Sequence, residues 1–180
     1  MIQNERDIRN ELVMQAARQM MVAARTAPKG KGIDIIEMAL VTGDDKSRIA
    51  EKMQEIAPEK DWKFFFRDAE NILQADVVMI IGTRRQSQGL NCAHCGYQTC
   101  TTKPNTTPCT INSVDLGIAI GSACAKAADL RVDTRVMFSA GLAAQRLGML
   151  GEGCDCVMAI PISATSKNPF FDRKPKGVES

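Results

Sequence analysis

Seven cysteines occur in this 180-residue chain, and four of them, Cys92, Cys95, Cys100 and Cys109, fall in the single segment "CAHCGYQTCTTKPNTTPC". Their spacing is C-x2-C-x4-C-x8-C. Thiolates are soft anionic donors, and a [4Fe–4S] cluster asks for one at each iron corner. Cys92 and Cys95, two residues apart, suit neighbouring corners, and Gly96 permits a tight turn directly after them. Cys100 supplies a third donor, and the stretch "TTKPNTTP" brings Cys109 back for the fourth. The same four sulfurs would satisfy a tetrahedral zinc site, although zinc ribbons ordinarily present two separated C-x2-C knuckles and this chain has one. Reactive free thiols and a disulfide arrangement are the remaining readings. An odd cysteine count and the absence of an export signal weigh against disulfides.

The rest of the composition narrows the setting. Apolar residues make up 44% and charged residues 24%, which places the chain among globular proteins and fits one domain over 1–180. Net charge is +2, from 23 Lys and Arg against 21 Asp and Glu, with no basic stripe interleaved with aromatics, so nucleic acid is not an expected partner. No run reaches the roughly eighteen apolar residues of a membrane span, and the start "MIQNERDIRN" lacks the apolar core of a signal peptide. A cytoplasmic protein with no membrane contact is expected.

Other reactive residues carry less. His94, the only histidine, sits between Cys92 and Cys95. It either tunes a cluster through hydrogen bonding or is an exposed loop residue without a task, and the second reading is favoured. Cys154 and Cys156 form C-x-C at a strand start and are expected on opposite faces, which keeps them from sharing one site. Like Cys124, they read as small buried hydrophobes. Gly82 in "IIGTRRQ" is a weak nucleotide-loop signal without a following G-x-G-x-x-G, and Arg84 and Arg85 read as solvated.

The elements that must position the cysteine loop follow from periodicity. Residues 4–25 carry Ile8, Leu12, Val13, Ala16, Met20 and Ala23 at helical spacing, ended by Pro28 and the glycines of "APKGKG". A strand is predicted over 33–42 and a helix over 45–57, capped by Asp44 or Asp45. Residues 61–75 are ambiguous between strand ("WKFFF") and helix ("RDAENILQA"). The apolar run 76–83 predicts a buried strand that leads into the cysteine loop, 84–110. Helices are predicted over 113–130, capped by Asn112 or Ser113, and over 138–150, with a last strand over 154–163. Gly117, Gly121, Ala125 and Ala128 give the helix 113–130 a small-residue face suited to close approach by another backbone. The tail is expected to fray.

The run "GLNCAHCGYQTC" resembles the Cys-Gly-rich 4Fe–4S domain of electron-transport complex B subunits and corrinoid iron–sulfur proteins. Those place the fourth cysteine further downstream, which makes Cys124 an alternative to Cys109; Cys109 is preferred because Cys124 sits in an apolar helix. Over residues 85–173, that run together with "CTINSVDLGIAIGSACAKAADLRVDTRVM" and "AIPISATSKNPFFDR" resembles the family of ferredoxin-domain-containing proteins of anaerobic bacteria and archaea. This resemblance implies an iron–sulfur centre and redox work without fixing a substrate. A fainter one joins "AARTAPKGKGIDIIEMALVTGDDKSRIAEKM" to the nitroreductase pattern of helix, A-P-S-x-x-N loop, strand, polar turn and helix. Nitroreductases hold FMN at a homodimer interface, so this resemblance implies a homodimer and an FMN whose phosphate Lys167 and Arg173 would meet. The loop departs from the pattern, with "PKGKG" where serine and asparagine are expected, and ordinary surface charge is the simpler reading of both cations.

The expectation is thus an α+β chain, a nitroreductase-like mixed sheet flanked by helices with an inserted Cys-rich loop. Its metal ligands are Cys92, Cys95, Cys100 and Cys109, and its work is electron transfer or a small redox conversion with a redox partner protein. The rival is a non-catalytic adaptor, stapled by zinc or a cluster, that docks a larger enzyme.

Overall fold

A computed structural model describes residues 2–171. In chain order the elements are α1 (Glu5–Thr26), β1 (Ile36–Val41), α2 (Gly43–Ile56), α3 (Phe64–Leu73), β2 (Val77–Arg84), α4 (Thr110–Asp129), β3 (Asp133–Thr134), α5 (Phe138–Arg146) and β4 (Cys154–Ser163). The strands form one sheet in the order β1-β2-β4-β3. Every pairing is antiparallel, where a mixed sheet was anticipated. The connections explain the difference. Helices α2 and α3 carry the chain away and back, so β2 begins opposite the end of β1, with Val41 paired to Val78. The segments between β2 and β4 do the same, and Arg84 pairs with Cys154.

Both faces of the sheet are covered. Val78 and Ile80 of β2 point into a core shared with α2, α3 and α5. Val77, Met79 and Ile81 point the other way, into a core shared with α1 and α4. Two-sided burial is why the sequence of β2 reads as a continuous apolar run, and each fully buried side chain there contributes roughly 2 kcal/mol. The aromatic run after α2 settles as helix: Phe65 is buried and stacks on Trp62 at 5.1 Å, while Phe64 and Phe66 stay exposed.

Two expected caps are replaced. The residue before α2 is Thr42, and Asp44 and Asp45 lie inside its first turn, where their charge still favours the helix N-terminus. The residue before α4 is Cys109, because Asn112 is turned inward onto the carbonyl of Gln86 and the Ser113 hydroxyl donates back to Cys109 O at 3.3 Å.

A bulge at the start of β4 sets the faces of two cysteines. Regular alternation would put Cys154 and Cys156 on the same face, not on opposite ones. The register shifts between Ile81 and Thr83, and Cys156 takes φ of 54°. As a result Cys154 packs with α2, α3 and α5, and Cys156 with α1 and α4. Gly82 lies opposite this bulge, and a Cβ there would meet Val157 Cγ2 at 2.8 Å and Cys154 Sγ at 2.9 Å. Packing within the sheet, not a nucleotide loop, accounts for that glycine.

The tightest approach joins α5 to β4. A Cβ at Gly141 would stand 2.1 Å from Val157 O and 2.5 Å from Met158 Cα, both backbone atoms that cannot swing aside. Gly141→Ala is expected to destabilise the protein by about 3 kcal/mol, read as a lowered denaturation midpoint at unchanged m-value.

Candidate metal centre

The cysteine loop leaves β2 after Arg84 and re-enters regular structure at Thr110. Its roots are fastened on several sides. The Arg85 guanidinium donates to both carboxylate oxygens of Asp155, at 2.5 and 2.8 Å, and Arg84 donates to Glu37 at 2.7 Å. Asn112 of α4 grips the carbonyl of Gln86, and the Lys31 ammonium donates to Gln88 O at 3.1 Å. The Gly30 amide donates to Asp115 of α4 at 2.9 Å. The "PKGKG" segment after α1 is therefore clamped to the cysteine loop and to the first turns of α4.

Within the loop, left-handed backbone at Asn91 (φ 49°), Ala93 (φ 58°) and Gly96 (φ 88°) folds the chain tightly around Cys92 and Cys95. The Gly96 amide closes that turn on Ala93 O at 2.8 Å, as the glycine in the motif led one to expect. Asn91 and Cys100 make a reciprocal pair. The Cys100 amide donates to Asn91 Oδ1 at 2.8 Å, and the Asn91 amide donates to Cys100 Sγ at 3.4 Å. Lys103 bends the second half of the loop by donating to Thr107 O at 2.5 Å.

Cys109 occupies the N-terminal end of α4. Partial burial pushes its thiol pKa up, but backbone amides of Gln88, Asn112 and Ile111 donate to the sulfur and Lys103 lies nearby. Their sum holds the thiol below its usual range. Helix N-termini favour a thiolate in this way. Sequence adds to the effect, since no Asp or Glu occurs between Asp76 and Asp115 to repel sulfur anions.

The donor chemistry fits an iron–sulfur cluster. All four thiols are unbridged, Cys92 is exposed and the other three half-buried, and Cys100 and Cys109 already accept N–H bonds of the kind that support cluster sulfur. The Gln88 side-chain amide, buried at 4% exposure, has no partner among the described residues for either polar atom. The four sulfurs share one loop without sharing one point: among the described residues no three Cys, His, Asp or Glu side chains form a group able to hold a metal ion.

The other candidates lie apart. Cys124 is fifteen positions along α4 from Cys109, roughly 22 Å at helical rise, and its thiol is pushed up by burial with a bond to Thr134 as the opposing influence. Burial likewise pushes up Cys156, and takes Cys154 to about 11. His94 is exposed. Lys167 is exposed in the turn after β4, at the end of the sheet away from the cysteine loop, and Arg173 falls outside the described residues. Lys31, Gln88, Asn91 and Lys103 gave no motif signal, and Asn112 read only as a helix cap, because their roles come from backbone contacts made across the fold.

In reduced, metal-free protein the lowered and raised thiols should separate by pH. Cys109 is expected to alkylate with iodoacetamide below pH 9, and Cys154 only as pH approaches 11, as site-resolved mass spectrometry would report. Equal pH dependence at both positions would contradict the assigned environments.

Comparison with known proteins agrees with this picture at the level of fold and family. Structures similar to the chain include an oxidoreductase containing FMN (TM-score 0.59, 14% identity, 85% of this chain and 67% of the other covered). A nitroreductase with bound FMN from Desulfitobacterium hafniense DCB-2 gives TM-score 0.57 at 18% identity, covering 100% of this chain and 89% of the other. A nitroreductase family protein from Clostridium novyi NT gives 0.58 at 13%, covering 83% and 73%. A protein of Archaeoglobus fulgidus, described as an uncharacterized protein, is 42% identical over 98% of this chain and 100% of its own length. Residues 105–173 match the model of a family described as uncharacterized protein containing a ferredoxin domain, a span that takes in Cys109 and begins after Cys100. On that relationship and this nitroreductase-like α+β fold, the chain belongs to the family of proteins containing a ferredoxin domain.

Proposed function

We propose that this is an iron–sulfur redox protein in which Cys92, Cys95, Cys100 and Cys109 hold a [4Fe–4S] cluster. When bound, the cluster supplies one-electron transfer. The observation that carries this reading is the environment of Cys109, a thiol held toward its anionic form by the amides of Ile111 and Asn112 at the start of a twenty-residue helix and by that of Gln88 in the loop. The other buried thiols of the chain are pushed the opposite way. The ferredoxin-domain family supports a redox role. Exposure of Cys92 and its neighbours suits exchange of electrons with a partner protein.

FMN is a second reading, favoured by one observation. The similar folds include an oxidoreductase containing FMN and a nitroreductase with bound FMN, and the "PKGKG" segment that stands in the nitroreductase loop position is bonded to the root of the cysteine loop and to α4. A homodimer would pack through α4, whose Val114, Gly117, Ile118 and Gly121 face solvent without a charged residue among them.

Protein purified without oxygen, or reconstituted with iron and sulfide, should show a broad visible shoulder that bleaches with dithionite. Colourless, zinc-loaded protein would favour a metal-stapled adaptor instead. Cys100→Ser should lose most of its iron while Cys156→Ser keeps it, and equal losses would overturn the ligand assignment. Yellow material that fluoresces on release would support FMN. Sedimentation should give a dimer that Gly121→Glu converts to monomer; a monomeric unsubstituted protein would retire the α4 interface. No described helix is long and apolar enough to cross a membrane.

A further inference from the structure

Residues 29–32, "KGKG", follow α1 and reach three parts of the fold. The Lys29 ammonium, on a side chain 5% exposed, donates to the carbonyls of Ala24, Arg25 and Ala27 and so closes the C-terminal end of α1. Gly30 lies against α4: its amide donates to Asp115 at 2.9 Å, and a Cβ there would stand 2.8 Å from Ile111 Cγ2. Lys31 reaches the cysteine loop, donating to Gln88 O at 3.1 Å. It does so from left-handed backbone, φ 58°, between two glycines. A side chain is strained in that conformation and glycine is not, so an idle lysine would be a poor choice there.

Gln88 is held through its main chain. Its side-chain amide has no partner among the described residues, its carbonyl accepts from Lys31, and its amide donates to the Cys109 sulfur. Lys31 also makes the last attachment from another element before Cys92. Between Gln88 and Cys109, the hydrogen bonds found among the described residues run within the loop, as at Asn91, Gly96, Cys100 and Lys103. Without the lysine, the nearest fixed point on that side is the Gln86 carbonyl, gripped by Asn112. Lys103 supplies the nearby positive charge at Cys109, so Lys31 acts through position.

We propose that Lys31 is a positioning residue for the metal centre. Its ammonium sets the hinge of the cysteine loop at Gln88, so that the Gln88 amide addresses Cys109 and the chain enters Cys92 from a fixed point. That role presupposes the iron–sulfur reading, while the hinge itself exists in metal-free protein.

Three variants test it. Lys31→Met keeps the stem and removes the donor, Lys31→Arg keeps a donor, and Lys31→Gly relieves the left-handed backbone. In metal-free protein, amide exchange at Gln88, followed by NMR, should run about tenfold faster in Lys31→Met and Lys31→Gly, as loss of a bond from a charged donor requires. Lys31→Arg should restore the unsubstituted rate. Tm should hold in Lys31→Met and hold or rise in Lys31→Gly, because the hinge is local and glycine suits the backbone. After reconstitution, iron should pass to a chelator several-fold faster from Lys31→Met than from Lys31→Arg or the unsubstituted protein. Exchange at Gln88 unchanged by Lys31→Met, or as fast in Lys31→Arg as in Lys31→Met, would overturn the hinge. Faster exchange spread evenly through α4 with a lowered Tm would reduce the lysine to general stability and overturn it as well. Unsubstituted protein that takes up no iron would sink the iron–sulfur reading, with the exchange rates still deciding the hinge. Iron taken up, and released equally fast from every variant, would overturn the positioning role alone.

Discussion

The first turns of α4 are the point through which the rest of the site is held. A helix N-terminus presents amides that no carbonyl of its own can satisfy. Here the partner is the Cys109 sulfur, taken by the amides of Ile111 and Asn112 together with that of Gln88. The same stretch of helix uses Asn112 to grip Gln86 and Asp115 to grip Gly30. Three segments distant in sequence, the loop's beginning, the loop's end and the turn after α1, are thereby tied to one helix end.

Environment separates the cysteines into two kinds. Those at 124, 154 and 156 are embedded among apolar side chains, where desolvation disfavours a thiolate and the thiol is chemically quiet. Those at 92, 95, 100 and 109 belong to a stretch of chain free of carboxylates. The arginines at its start are neutralised by Glu37 and Asp155, which lie outside that stretch. Their charge anchors the loop to the sheet, and Lys103 remains the cation nearest Cys109.

The scaffold behind the loop is stiff where it must be. The strand that launches the loop is buried on both faces, and the helix that receives its end packs along α1. At the junction, the bulge around Cys156 reverses the faces of β4 and leaves Asp155 in place to hold Arg85. The loop itself is polar and largely exposed, so its conformation is set by its anchors and its few internal bonds more than by packing.

Residue spacing alone determined the cysteine motif, the turn at Gly96, the long helices and the buried strand β2, because each of these is written in a local pattern of side chains. The α+β class came with the resemblance to nitroreductases, since alternating helical and strand periodicities do not by themselves separate it from α/β. Strand direction did not, because it depends on how paired helices return the chain to the sheet. The faces of Cys154 and Cys156 depend on a bulge that C-x-C spacing cannot encode. Asn112 read as a helix cap, yet the fold turns it inward onto the carbonyl of Gln86. Cys109 read as one donor among four, and only the meeting of Gln88, the loop's end and α4 gave its sulfur three amides. Local patterns supply the donors; contacts between distant segments decide their charge and company, because hydrogen bonding and desolvation act through space and not along the chain.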